Sequence, residues 1–117
     1  MAVERTISVP RIRRRTAGDI LRRELEVLAC GAAQVESHKE QAWASITFAG
    51  ARHRLVLLFT GEKAIASGEV LIDALPDHEF TIPRHLVADA DVVEVEHRMA
   101  PSPVMRISCE LLLLEDA

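Results

Sequence analysis

Val104-Met105-Arg106-Ile107-Ser108-Cys109-Glu110-Leu111-Leu112-Leu113-Leu114, near the end of the 117-residue chain, decides the fold. Its odd positions, Met105, Ile107, Cys109, Leu111 and Leu113, are all apolar, while Arg106, Ser108 and Glu110 take alternate ones. A period of two sends successive side chains to opposite sides of an extended backbone, so this stretch predicts a strand with one buried face. At roughly 1.5–3 kcal/mol per large apolar side chain, that face contributes on the order of 10 kcal/mol before conformational entropy is subtracted. The run Asp91 to Arg98 is expected to pair with it as a hairpin across Met99-Ala100-Pro101-Ser102-Pro103.

Arg52 to Thr60 has the same character, but both of its faces are apolar: Leu55, Leu57 and Phe59 on one, Val56 and Leu58 on the other. A strand of that kind belongs in the middle of a sheet. Upstream, Arg5 to Val9 reads as a strand that Pro10 confines to an edge. Thr16-Ala17-Gly18-Asp19 then supplies a capping box, Ile20, Leu21, Glu24, Leu25 and Leu28 follow at helical spacing, and Gly31 closes the helix. Ala33 to Lys39 and Ala42 to Ala49 read as two further strands, with Gly50 as the turn into Arg52.

A second helix opens at Thr60-Gly61-Glu62, carries Ala64, Ile65, Gly68, Leu71, Ile72 and Leu75 inward, and stops at Pro76. Gly68 is unfavourable inside a helix, and close packing against the sheet is its usual justification. Glu79 to Ile82 reads as one more short strand. The expected fold is a single α+β domain over residues 1–117. Its mostly antiparallel sheet has about six to seven strands with two helices on one face, in the order β-α-β-β-β-α-β-β-β, as two similar halves.

The other face then needs a cover. Val56, Leu58, Leu112 and Leu114, with Trp43, point away from the helices, and such a patch is too apolar to leave wet. A second subunit stacked sheet on sheet is the economical solution; a barrel-like curl around a ligand is the other.

Composition narrows the class. Apolar residues make up 49% and charged residues 27% of the chain, ordinary values for a globular protein. The longest apolar run without glycine, Leu55 to Phe59, is far short of a membrane span, and the N-terminus lacks the apolar core of a signal peptide, so a cytoplasmic protein is expected. The two cysteines, Cys30 and Cys109, are too few for a disulfide framework or zinc knuckle.

Charge is unevenly placed. Up to Leu25 there are seven Arg against three acids; beyond it, seven bases face fifteen acids. The overall acidity argues against a dedicated nucleic-acid binder. Yet Arg11, Arg13 and Arg15, if extended, project to one side at about 7 Å intervals, and with Arg14 they lead into the amide-rich start of the first helix. RNA, phosphate or another anion would suit such a row, and so would the acidic surface of a second copy.

The five histidines show no local metal-ligand spacing, and Cys-x-x-Cys, phosphate-loop and nucleophile-elbow patterns are absent, so neither a metal nor a cofactor is expected. His53 and His97 each sit at the end of an apolar strand face and could converge with Glu79 in a pocket, one of them as general base. Glu94 and Glu96 share a strand face, where they could hold a metal or do paired acid–base work, or could instead meet Arg106 across the hairpin. Three readings follow: a non-enzymatic binding or assembly module that forms a homo-oligomer, an anion binder, and a small pocket enzyme.

Overall fold

The computed structural model describes residues 15–116. Helix α1 (Ala17–Leu28) is followed by strands β1 (Gln34–Ala44) and β2 (Ala49–Thr60), helix α2 (Glu62–Ala74), a single 3-10 turn (Leu75–Asp77), and strands β3 (His85–Arg98) and β4 (Val104–Glu115). The four strands form one antiparallel sheet in the order β1-β2-β4-β3. A helix followed by a hairpin thus occurs twice, and the second strand of each hairpin lies at the centre. Among the described residues no helix is long and apolar enough to cross a membrane.

The two apolar strands are neighbours at the centre of the sheet. His53, Leu55, Leu57 and Phe59 of β2 stand opposite Leu111, Cys109, Ile107 and Met105 of β4, and all eight are buried. Both helices pack on this face. Leu21 and Leu25 of α1 and Ile65 and Leu71 of α2 complete the same core. A Cβ added to Gly68 would lie 3.1 Å from the Phe59 ring and 3.3 Å from Ile107 Cδ1, so the glycine lets α2 approach the sheet closely.

Helix α1 begins as its sequence requires: the Asp19 amide donates to Thr16 Oγ1 and the Thr16 amide to the Asp19 carboxylate, each at 3.1 Å. It ends in a Schellman motif, the Gly31 amide donating to Glu26 O and the Cys30 amide to Val27 O. Cys30, not the glycine, takes the first left-handed position, with φ +56°, and Gly31 follows at +72°.

The strand count corrects the sequence reading, as does the order of elements. Among the described residues there are four strands, against the six to seven expected of the whole chain, and the elements run α-β-β-α-β-β apart from the 3-10 turn. The expected strand at Arg5 to Val9 lies outside the described residues. Ala33 to Lys39 and Ala42 to Ala49 are not separate: one strand runs from Gln34 to Ala44, and the turn falls at Ser45–Phe48, where Ser45 and Phe48 exchange hydrogen bonds. Ile46 and Phe48, which fall within the second of those expected strands, are instead exposed at that turn. Gly50 is inside β2, where a Cβ would run into the Leu113 carbonyl.

Glu79 to Ile82 forms no strand, although Ile82 is buried against the core. Strand β3 instead starts at His85, and two register shifts, between Val87 and Asp89 and between Val92 and Glu94, break the alternation that would have revealed its length. Gly50→Ala is predicted to lower the unfolding free energy by about 1–3 kcal/mol through overpacking, whereas Ile46→Ala stays within about 0.5 kcal/mol, both by urea titration.

Burial distinguishes the thiols. Cys109 is fully buried and its pKa is pushed up to about 12, while Cys30 is exposed. A disulfide reagent should therefore label one thiol per folded chain at once and the second only on unfolding; two fast thiols would contradict the placement of Cys109.

Candidate functional site

Among the described residues both helices lie on one face of the sheet, and the other face carries no helix. Successive residues alternate sides, so β2 directs Arg52, Arg54, Val56 and Leu58 outward, and β4 directs Arg106, Ser108, Glu110, Leu112 and Leu114 there. Val56, Leu58 and Leu112 are half-buried and Leu114 is 8% exposed. The four expected interface residues thus share one face, in two groups. Charged side chains separate and partly shield them: Arg106 donates to both Glu36 carboxylate oxygens, at 2.7 and 3.0 Å, and lies 3.5 Å from Glu96. The Glu36 pKa is held below the ordinary carboxylate range by its hydrogen bond to Arg106. Glu96 therefore meets Arg106 across the hairpin, one of its two expected roles, while Glu94 stands opposite Ser108.

The second feature lies on the helical side, where the start of α1 meets the hairpin. A cavity of about 340 Å³ is lined there by Thr16, Gly18, Glu40, His53, His85 and Leu113, among others. His53 is 1% exposed, and its Nδ1 lies 2.9 Å from His38 Nε2 and 3.8 Å from Glu40 Oε1. A Cβ on Gly18 would lie 3.4 Å from both imidazole Cε1 atoms, so the first turn of α1 sits directly on the ring pair.

Burial lowers both imidazole pKa values. For His38 the neighbouring His53 and Arg22 add to this while Glu40 and Asp19 oppose it; for His53 Glu40 opposes and His85 adds. A hydrogen bond between two imidazoles needs one donor and one acceptor, so at least one ring is neutral. Among the described residues no group of three or more His, Cys, Asp or Glu is placed to hold a metal ion.

The remaining sequence candidates do not gather. His53 stands opposite Leu111 and His97 opposite Met105, six residues apart on β4. At about 3.3 Å per residue the two imidazoles are separated by roughly 20 Å along the sheet, too far to share one substrate atom. Glu79 is exposed in the connection before β3 and does not line this cavity. Arg11, Arg13 and Arg14 lie outside the described residues. Arg15 is exposed next to Thr16, where the capping box already uses the Asp19 amide that an anion would seek. Sequence reasoning misses His38, His85 and Glu40. Their convergence on His53 depends on strand register, which no local spacing announces.

No protein-family model matches the chain, and no curated protein does. A solved structure is similar: a chain of the "Virion of native gene transfer agent (GTA) particle", at 17% identity and a TM-score of 0.53. The match covers 86% of this chain and 92% of that one, so the two share a fold over nearly their whole lengths.

The lowered imidazole pKa values give a pH dependence with a definite sign. Below the ordinary imidazole value of about 6.5 the unfolded chain binds more protons than the folded one, so stability falls as pH drops through that value and levels off once the folded rings protonate. Urea unfolding at about pH 7.5 and pH 5.5 is predicted to show this loss, and His38→Gln/His53→Gln to remove most of it. An unchanged slope in the double variant would place the titrating groups elsewhere.

Proposed function

We propose that the chain is a small structural subunit that associates with copies of itself through the helix-free sheet face, as a building block of a multi-subunit assembly. The observation that carries this reading is the lopsided cover of the two central strands. Among the described residues both helices sit over one face, and Val56, Leu58 and Leu112 project half-buried from the other, beside the nearly buried Leu114. Half-buried apolar groups on a broad sheet face favour a stacked partner, because packing a second sheet about 10 Å away removes them from water without a new core. The shared fold with a chain of a virion particle is in keeping with a role in assembly.

Trp43, the only tryptophan, provides a direct readout because its pairing with Gly50 sets it on the same face as Leu114. Raising the concentration from about 1 to 100 μM should move its emission to the blue as sedimentation shows the mass rising. Val56→Asp, which places a charge in the contact, should weaken association at least about tenfold while leaving a cooperative melt. A wild-type chain that stays monomeric at about 100 μM would remove this reading.

A further inference from the structure

One transverse row of the helix-free face carries four charges in an order that an isolated sheet does not favour. Lys39 of β1 stands opposite Arg54 of β2, Arg54 opposite Glu110 of β4, and Glu110 opposite Asp91 of β3. Across the sheet the row reads plus, plus, minus, minus. Like charges directly opposite each other are destabilising, so a sheet that served only itself would do better with alternating signs. Here two of the three neighbouring pairs are like-charged.

The row is also unneutralised: none of the four side chains belongs to an ion pair among the described residues. Asp89 extends the acidic side beside Asp91, and its carboxyl group, with Glu110 adding to it, raises the Asp91 pKa. Arg52 extends the basic side, opposite Gln41 and Leu112.

We infer that the partner on this face is a second copy of the chain, related by a two-fold axis that runs between β2 and β4 parallel to them. This arrangement rests on the self-association proposed above and specifies its geometry. Rotation about that axis keeps each residue at its level along the strands and exchanges the two halves of the sheet. Strand β1 then lies over β3 of the second copy, and β2 over its β4. Lys39 comes over Asp91 and Arg54 over Glu110, and symmetry makes each contact twice. All four positions of the row are then complementary. An alternating row would also be complementary under this rotation, at no cost to the single sheet. What the grouping adds is a basic half and an acidic half on each copy, which steer two copies into this orientation.

In the next row the same operation sets Arg52 over Leu112, which its aliphatic stem can cover, and one row further it sets Trp43 over Leu86 and Gly50 over Leu114, an apolar contact. Aligned sheets cross at about 30°, which displaces the outer strands by only a few ångströms near the axis, within reach of Lys and Arg side chains. Four strands spaced at about 4.8 Å and about 11 residues long present roughly 700 Å², close to the roughly 800 Å² per partner of a stable dimer.

The test uses two single variants of the full chain, Arg54→Glu and Glu110→Arg, followed by sedimentation equilibrium separately and mixed. Each alone sets like charges against each other twice across the axis and should weaken self-association at least about tenfold. Mixed in equal amounts they should associate about as tightly as wild type. In the mixed pair the introduced carboxylate at position 54 faces the introduced guanidinium at position 110, and the unaltered Glu110 of one chain faces the unaltered Arg54 of the other. Within either variant chain, positions 54 and 110 carry like charges, so recovery on mixing can come only from contacts between chains. Lys39→Glu and Asp91→Lys, on the edge strands, form a second pair should a central substitution disturb folding, which circular dichroism reports. An associating wild type whose single variants associate equally well, or whose mixture stays monomeric, would overturn the two-fold pairing and leave the assembly role standing. A monomeric wild type would overturn both.

Discussion

The pairing of β2 with β4 is the constraint on which the rest of the structure depends. Eleven residue pairs join these strands from Gly50 and Leu114 to Thr60 and Val104, and every inward position between His53 and Phe59 is buried. Hydrophobic burial on that side fixes where both helices lie and which way every outward residue points, since slipping one strand by a single residue would turn Leu55, Leu57 and Phe59 to solvent. The open face is therefore a consequence of the core. Two helices suffice to cover one side, and the sequence places apolar groups on the other side as well.

The two local features of the molecule answer to this arrangement differently. The His38–His53 pair sits where α1 meets the sheet, beneath Gly18, and its neutral, hydrogen-bonded form suits a packing element with a built-in sensitivity to acid. The open face is broad, charged in two halves and dotted with half-buried leucine and valine. On the reading proposed above, the first feature holds the subunit together and the second joins it to another.

Much of the fold was legible because it rests on alternation that the sequence displays openly. Met105 to Leu113, Leu55 to Phe59 and the Thr16–Asp19 cap each announce their element without help from distant residues. The errors have local physical causes. Two register shifts in β3 reset the alternation, so that strand lost its first half, while in β1 the polar Glu40-Gln41 falls between the two stretches that read as separate strands. The β1–β2 turn at Ser45–Phe48 contains neither Gly nor Pro, and Gly50, which looked like the turn, is needed for close approach to Leu113.

The candidate sites were less visible for a related reason. His38 and His85 come to His53, and Lys39 and Asp91 come to one row with Arg54 and Glu110, only through register between strands far apart in sequence. The common side of Val56, Leu58, Leu112 and Leu114 was easier to read, because two strands that are apolar on both sides already imply one outward direction for them. The measurement that bears most directly on the central claim is the relaxation of the Val56, Leu58 and Leu112 methyl groups by a soluble paramagnetic agent, compared between dilute and concentrated samples. Association through the open face predicts that these methyls become protected at high concentration while those of Val27 and Val70, exposed on the helices, do not. Equal relaxation of all of them at both concentrations would contradict it.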